Sequence, residues 1–448
     1  MKNKPSPDRA RKRLTKHLEQ INLYAAGIDI GSESHYVAVP EGLDDEPVRW
    51  FSCNTGDLEK LADWLVQIGI QSVAMESTGI YWIPLFEILE ERGLEVLLVN
   101  ARHVKNVSGR KSDVLDCQWI WQLMTYGLLR GAFRPADPVC VVRATVRQRA
   151  TKVEEQARSV QHMQKALTQM NLQLTSAVSD LTGKTGLSIV RAIVAGEHDP
   201  AKLAKLRDRR LRASEETVAA SLNGNWRQEH LFALAQALAH YDFLEQQIAD
   251  CDQAIHEHLA HLPALAEEPE PPAKLSRSPH RSAPQQRELH RALHQVLGVD
   301  PTAIPTLGID TVLVLASEIG PDLSRFPSVA HFCSWLGLAP PTHISGGKAL
   351  KGRKPKVFNR AGQALRQSAA NARRSQSFIG AAHRARLARM DTAKAIKATA
   401  HQLARIIYAM LTKGEAYAEQ GIEEFEARSH DRQVRALRRK AARLGLTL

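Results

Sequence analysis

Four carboxylates and one hydroxyl stand out in the 448-residue sequence as groups that could do chemistry together. Asp29 lies in "GIDIGS", Glu76 in "AMES", and Asp113 and Asp116 in "KSDVLDC". The i, i+3 spacing of the last two puts both on one helical face. Carboxylates brought together repel each other and lose charge unless a cation neutralises them. Hard oxygen ligands suit Mg²⁺ or Mn²⁺. Two such ions, about 3.5–4 Å apart, clamp a phosphodiester by activating the attacking oxygen and stabilising the leaving one. Arg110 and Lys111 precede Asp113 and could bind adjacent phosphates. The hydroxyl is Ser345, in "HISGGKALKGRKPKVFNR". A serine is a poor nucleophile until a base or a metal activates it. Gly346 and Gly347 carry no side chain, so a sugar-phosphate backbone can approach closely. Lys348, Lys351, Arg353, Lys354, Lys356 and Arg360 would neutralise its charge, and no Asp or Glu occurs between Asp322 and Asp391.

Each group also has a plainer reading. Asp29 can be a turn carboxylate, and Glu76 or Asp113 a helix N-cap. Ser-Gly-Gly is a common turn, and a charge run is usually a solvated face. "GIDIGS" also resembles the phosphate turn of actin-like ATPases and sugar kinases. The second Asp-x-Gly-x-Thr turn and the glycine-rich adenosine site of those enzymes are not found. "TGKTG", from Thr182 to Gly186, lacks the first glycine of a Walker A loop.

Composition favours a polyanionic partner. Formal net charge is +12 and the pI is about 9.5, which points to nucleic acid or an anionic surface. No apolar run approaches the roughly 18–20 residues that span a bilayer, so no membrane role is expected. The N-terminal "MKNKPSPDRARKRLTKHLEQ" is basic without an apolar core, unlike a secretory signal. Cys53, Cys117, Cys140, Cys251 and Cys333 are scattered without CxxC spacing. They read as small core residues of a cytoplasmic protein rather than a disulfide framework or zinc module. Aromatic residues make up 5% of the chain, too few to suggest a base-stacking platform.

The elements that would position these groups follow from periodicity. After a basic arm (1–20), residues 21–141 alternate strand and helix signals in the order β-β-β-α-β-α-β-α. "YAAGIDIGS", "HYVAVP" and "PVRWFSC" read as meandering strands, and "TGDLEKLADWLVQIG" as a helix with Thr55 as N-cap. "SVAMES" and "EVLLVN" read as buried strands, with helices closed by Gly93 and Gly127. This order is the pattern of the ribonuclease H-like (RuvC-like) fold. It would set Glu76 and the loop before Asp113 at the carboxyl ends of strands, where sites gather in open α/β sheets. Residues 142–261 read as an antiparallel coiled-coil arm with a helical insert. Val153, Ala157, Val160, Met163, Leu167, Met170 and Leu174 form one stripe; Leu231, Leu234, Leu238, Tyr241, Ile248, Ile255 and Leu259 form the other. Residues 262–286 are a proline-rich linker. A helical domain (287–420) and a basic helical tail (421–448) complete an α/β plus α-helical chain.

With these blocks in place, the sequence resembles the DEDD insertion-sequence transposases of the IS110 group. "GIDIGSESHYVAV", "VAMESTGIYWIPLFEILEERGLEVLLVNARHVKNVSGRKSDVLDCQWIWQL" and "GLLRGAFRP" form the first matching block. "IPTLGIDTVLVLASEIG", "FPSVAHFCSWLGLAPPTHISGGK", "NRAGQALRQSAANARRS" and "AIKATAHQLARIIYAML" form the second. The resemblance implies that Asp29, Glu76, Asp113 and Asp116 are the DEDD metal set and that Ser345 attacks DNA. It also implies donor and target DNA as substrates, a non-coding bridge RNA as guide, and a homo-oligomer, dimer or tetramer, in which one subunit's metal domain meets another's serine domain. The rival readings are a nuclease or junction resolvase using water, and a non-catalytic nucleic-acid binder.

Overall fold

The computed structural model describes residues 19–77, 79–100, 113–267, 281, 283–340, 344–345, 348–349, 359–417, 434–435, 438 and 442. The chain divides into two compact units, Met1–Arg134 and Pro135–Leu448.

The first unit follows the expected element order. It contains β1 (Ala25–Ile30), β2 (Ser34–Ala38), β3 (Val48–Ser52), α1 (Thr55–Gln67), β4 (Ser72–Glu76), α2 (Ile83–Glu91), β5 (Glu95–Val99) and α3 (Asp113–Thr125). The sheet order is β3-β2-β1-β4-β5. β1, β2 and β3 pair antiparallel, whereas β4 and β5 run parallel to β1. Short turns suffice for the meander, and the parallel pairs need the crossovers supplied by α1 and α2. Asn54, not Thr55, occupies the cap position of α1, and Thr55 is its first helical residue.

The two sheet faces differ in side-chain size, because successive residues of a strand point to opposite faces. Ala26, Ile28, Ile30, Val73 and Met75 pack with Leu58, Leu61 and Leu65 of α1 and Leu85 and Leu89 of α2. The opposite face carries Ala25, Ala74 and Val99, packed against Ile120 and Met124 of α3. Gly27 lies on this face, and a Cβ there would sit 2.2 Å from the Trp121 backbone nitrogen and 2.5 Å from the Cys117 carbonyl. Small residues in β1 and β4 therefore let the α3 backbone lie directly on the sheet.

The second unit is mainly helical. α4 (Asp137–Gln169) starts before residue 142, where the arm was expected to begin. After it come α5 (Leu174–Ala177), α6 (Lys184–Val194), α7 (Pro200–Ala204), α8 (Glu215–Ser221) and α9 (Gln228–Ala260). α4 and α9 run antiparallel, as their pairs show. Arg149 meets Asp252 at 2.7 Å, Ser159 meets His240 at 3.0 Å, and the Asn225 N–H donates to the Met170 carbonyl at 2.9 Å. The apolar stripe of α9 is close to that expected, with Leu234, Leu238, Tyr241, Ile248, Ile255 and Leu259 buried. The stripe of α4 differs. Ala157 is exposed, whereas Arg149, Gln156 and Ser159 are buried. Asp252 and His240 on α9 satisfy Arg149 and Ser159, so part of this seam is polar and apolar counting misplaces it.

The stretch expected as a linker is partly packed. Arg281 is buried, where its guanidinium donates to Asp252 at 2.6 Å and pairs with Asp310. α10 (Ala283–Leu297) starts two residues later. α11 (Ile309–Ile319), α12 (Val329–Trp335), α13 (Arg360–Asn371), α14 (Phe378–Leu387) and α15 (Thr392–Lys413) complete the unit. Between α12 and α13, β6 (Ile344–Ser345) and β7 (Lys348–Ala349) pair antiparallel. A bidentate contact from Arg147 to Glu318, at 2.8 and 2.7 Å, fastens α4 to α11. Most of the basic arm, the proline-rich stretch and the basic tail lie outside the described residues.

Candidate active site

β1 and β4 set the first two carboxylates side by side. Gly27 faces Ala74 and Ile28 faces Met75 in the parallel register. Continued by one residue, that register brings Asp29 beside Glu76 on adjacent strands, about 4.8 Å apart in the sheet. Both share a face with Gly27 and Ala74, the face that α3 covers. Both also stand at the carboxyl edge of their strands. Glu76 is 9% exposed and Asp29 is half-buried. The end of β4 is fixed just beyond Glu76. Ser77 donates its N–H and its hydroxyl to the Val99 carbonyl, at 2.9 Å and 3.1 Å.

α3 delivers the remaining pair. Asp113 is its first residue, and Asp116 follows one turn later. The close approach of α3 at Gly27 sets the N-terminal turn of the helix toward the carboxyl edge of β1. Cys117, buried beneath that turn, reports the local field. Burial pushes its thiol up to about 12, and the carboxylates of Asp29 and Asp116 add to the rise. That corner of the sheet thus carries Asp29 and Glu76 on adjacent strands, with Asp116 on the helix that covers their face. Among the described residues, no three histidine, cysteine or carboxylate side chains form a group that could hold a metal ion. The Asp113 side chain lies outside the described residues, as do Arg110 and Lys111.

Ser345 occupies a tight hairpin. It pairs with Lys348, and Ile344 pairs with Ala349. In the sequence, Gly346 and Gly347 separate the two paired segments. The two glycines, together with Lys351, Arg353, Lys354 and Lys356, lie outside the described residues. Arg360 is exposed at the first turn of α13. That helix is anchored by Asn359, which accepts from the Gly362 N–H at 2.8 Å and donates to the Trp335 carbonyl at 3.2 Å.

Sequence reasoning missed the residues that make the carboxylate corner possible. Gly27, Ala25 and Ala74 do no chemistry, yet their small size seats α3 on β1 and β4. The signal was present as alternating small residues in "AAGID" and "VAME". His35, 1% exposed, was missed as well. It lies beside Ile30 at the end of the β1–β2 pair, 3.6 Å from the Cys53 sulfur.

Comparison with known families adds to this geometry. A transposase model of the DEDD type of IS110 elements matches residues 26–172. A second model, described as transposase of the IS116/IS110/IS902 family, matches residues 302–384. The first match takes in all four carboxylates, the second takes in Ser345, and together they cover about half of the chain. No curated protein matches the chain. With the carboxylates on a mixed sheet and its covering helix in one matched segment and the serine hairpin in the other, the chain belongs to the IS116/IS110/IS902 family of transposases, enzymes that act on DNA.

Proposed function

We propose that this transposase cuts and rejoins DNA through Ser345, with the carboxylate corner of a ribonuclease H-like domain assisting. The observation that carries the reading is the register of β1 and β4. It sets Asp29 beside Glu76 at the strand ends, with Asp116 on the helix packed over them. An all-oxygen donor set suits a hard divalent cation, and Asp113 is the fourth member, completing a set that the described side chains alone do not close. A divalent ion held there, Mg²⁺ or Mn²⁺, supplies positive charge at the scissile phosphodiester.

The chain's own residues do the rest. The Ser345 oxygen forms a bond to phosphorus as the bond to one DNA oxygen breaks, and the serine proton ends on solvent or a neighbouring base. The product is a phosphoserine and a free DNA hydroxyl. A hydroxyl of the second strand then attacks the phosphoserine, forms the new DNA linkage and returns the serine. One phosphoester replaces another at each step, so no ATP is needed. Gly346 and Gly347, which carry no side chains, do not obstruct the backbone, and Lys348, Lys351, Arg353, Lys354, Lys356 and Arg360 neutralise it. Arg110 and Lys111 do the same beside the carboxylates. A bridge RNA pairing with donor and target DNA supplies sequence recognition. A dimer or tetramer brings the carboxylates of one subunit to the serine of another.

The test is a covalent adduct. With labelled DNA and Mg²⁺, the wild type should give a protein-sized, protease-sensitive labelled band on denaturing electrophoresis. Ser345→Ala should bind nucleic acid and give no band. Asp29→Ala, Glu76→Ala, Asp113→Ala and Asp116→Ala should each lose cleavage while keeping the fold. Full-rate cleavage by Ser345→Ala, with no band from the wild type, would make water the nucleophile and overturn the reading.

A further inference from the structure

The end of the α4–α9 hairpin is a small helical globule with its own core. Met163, Leu167 and Met170 of the α4 end pack with Leu203, Val218, Leu222 and Leu234. On this core sits the segment "KLAKLRDRRLR", Lys202 to Arg212, with six cationic residues and one acid. Its backbone is held in a defined shape. The Arg207 guanidinium donates to the carbonyls of Leu211 and Ala213, at 3.2 and 3.0 Å. The Asp208 N–H donates to the Thr185 hydroxyl at 2.9 Å, and the Asp208 carboxylate pairs with Arg210 and Lys184 at 3.1 and 3.4 Å. Lys202 pairs with Glu197 at 3.4 Å.

These pairings leave a distinct trio. Lys205, Arg209 and Arg212 are exposed, and among the described residues none of them forms an ion pair. A rigid loop that turns three such cations outward is preorganised for a polyanion, because little side-chain or loop order remains to be lost on contact. The tryptophan of this globule, Trp226, is stacked on His198 at 4.5 Å rather than open to a base. The trio itself offers point charges and no ring, which suits the regular phosphates of a duplex. The enzyme's substrate is DNA.

We infer that Lys205, Arg209 and Arg212 form a second DNA-docking site, which grips the backbone of duplex DNA at the tip of the α4–α9 hairpin. From Arg147 to Leu167, α4 rises about 30 Å. A duplex lying along the arm would therefore meet the tip about nine base pairs beyond the arm's base, at about 3.4 Å per pair. This inference holds whichever nucleophile cuts the DNA.

The test uses the full chain and a duplex long enough to reach the tip. The variant Lys205→Ala/Arg209→Ala/Arg212→Ala should flatten the log–log dependence of duplex affinity on NaCl by about 2–3, since each phosphate left without its cation removes about 0.9. It should also lose hydroxyl-radical protection of the backbone at the distal end of the footprint. Arg209→Lys/Arg212→Lys should retain both properties, because it preserves charge. An unchanged slope and footprint in the alanine variant would overturn the site. So would equal losses in the lysine variant. Loss of duplex RNA binding with an unaltered DNA footprint would give the tip to RNA and also overturn it. Should the alanine variant not fold, the corresponding triple glutamine variant decides on the same two readouts.

Discussion

At the scale of single residues, the candidate site depends on one position that has no chemistry. Gly27 lets α3 touch β1, and the atoms a Cβ would meet are backbone. They cannot move aside as a flexible side chain could. We expect Gly27→Ala to destabilise the protein by about 1–3 kcal/mol, the usual range for overpacking, and Gly27→Val by more. Both should lower the thermal midpoint and abolish cleavage, because Asp116 and Asp113 ride on α3. An unchanged midpoint would mean that the helix does not sit on Gly27. His35 gives a second expectation at this scale. Burial, only partly opposed by a backbone hydrogen bond at Ser34, lowers its pKa below 6.5. The folded state thus holds it neutral where the unfolded state takes up a proton. The unfolded state binds more protons below about pH 6.5, so stability falls as pH drops through that value toward the folded pKa. Urea midpoints measured from pH 7.5 to 5.5 should decline in the wild type and decline less in His35→Phe.

At the scale of elements, arginine–carboxylate contacts bind the arm to the helices that follow it. Asp252 of α9 accepts from Arg149 of α4 and from Arg281 before α10. Its side chain is 9% exposed and that of Arg281 is 2% exposed. Burial is the largest influence on Arg281 and draws its pKa down to about 10, still far above neutrality, so it stays charged. Removing the carboxylate would leave two buried guanidiniums without their shared partner. We expect Asp252→Ala to cost about 3–5 kcal/mol, the usual penalty for breaking a buried ion pair, read as a shift of the urea midpoint. Arg147→Ala should cost less, because that side chain is 45% exposed and solvent screens its pair with Glu318. Equal losses would mean that burial does not set the strength of this seam.

At the scale of the whole molecule, charge decides the partner. The +12 net charge is not spread evenly, since 68 residues from 323 to 390 contain no acid. The cations after Ser345 belong to that region. We expect replacement of Lys351, Arg353, Lys354 and Lys356 by alanine to weaken binding to unrelated DNA sequences alike. Each phosphate that is no longer neutralised should flatten the salt dependence by about 0.9 for duplex and about 0.7 for single strands. Titration of binding against NaCl checks this, and an unchanged slope would make the run a solvated face. Among the described residues no helix is long and apolar enough to cross a membrane.

The sequence by itself determined the element order of the first unit, because strand alternation, helical stripes and closing glycines are local signals. The chemistry-bearing residue types and the charge balance were legible for the same reason. So was the family, since its two blocks are contiguous stretches. Tertiary structure alone decided which residues meet. Asp29 and Glu76 are 47 positions apart, and only the parallel pairing of β1 with β4 makes them neighbours. The arm's seam was misplaced near Ala157 because burial of Arg149 and Ser159 follows hydrogen-bond partners on the opposite helix, not hydrophobicity. Arg281 stood in a stretch whose composition argues for a loose linker. Its burial depends on Asp252 and Asp310, two acids from distant helices that local composition cannot reveal.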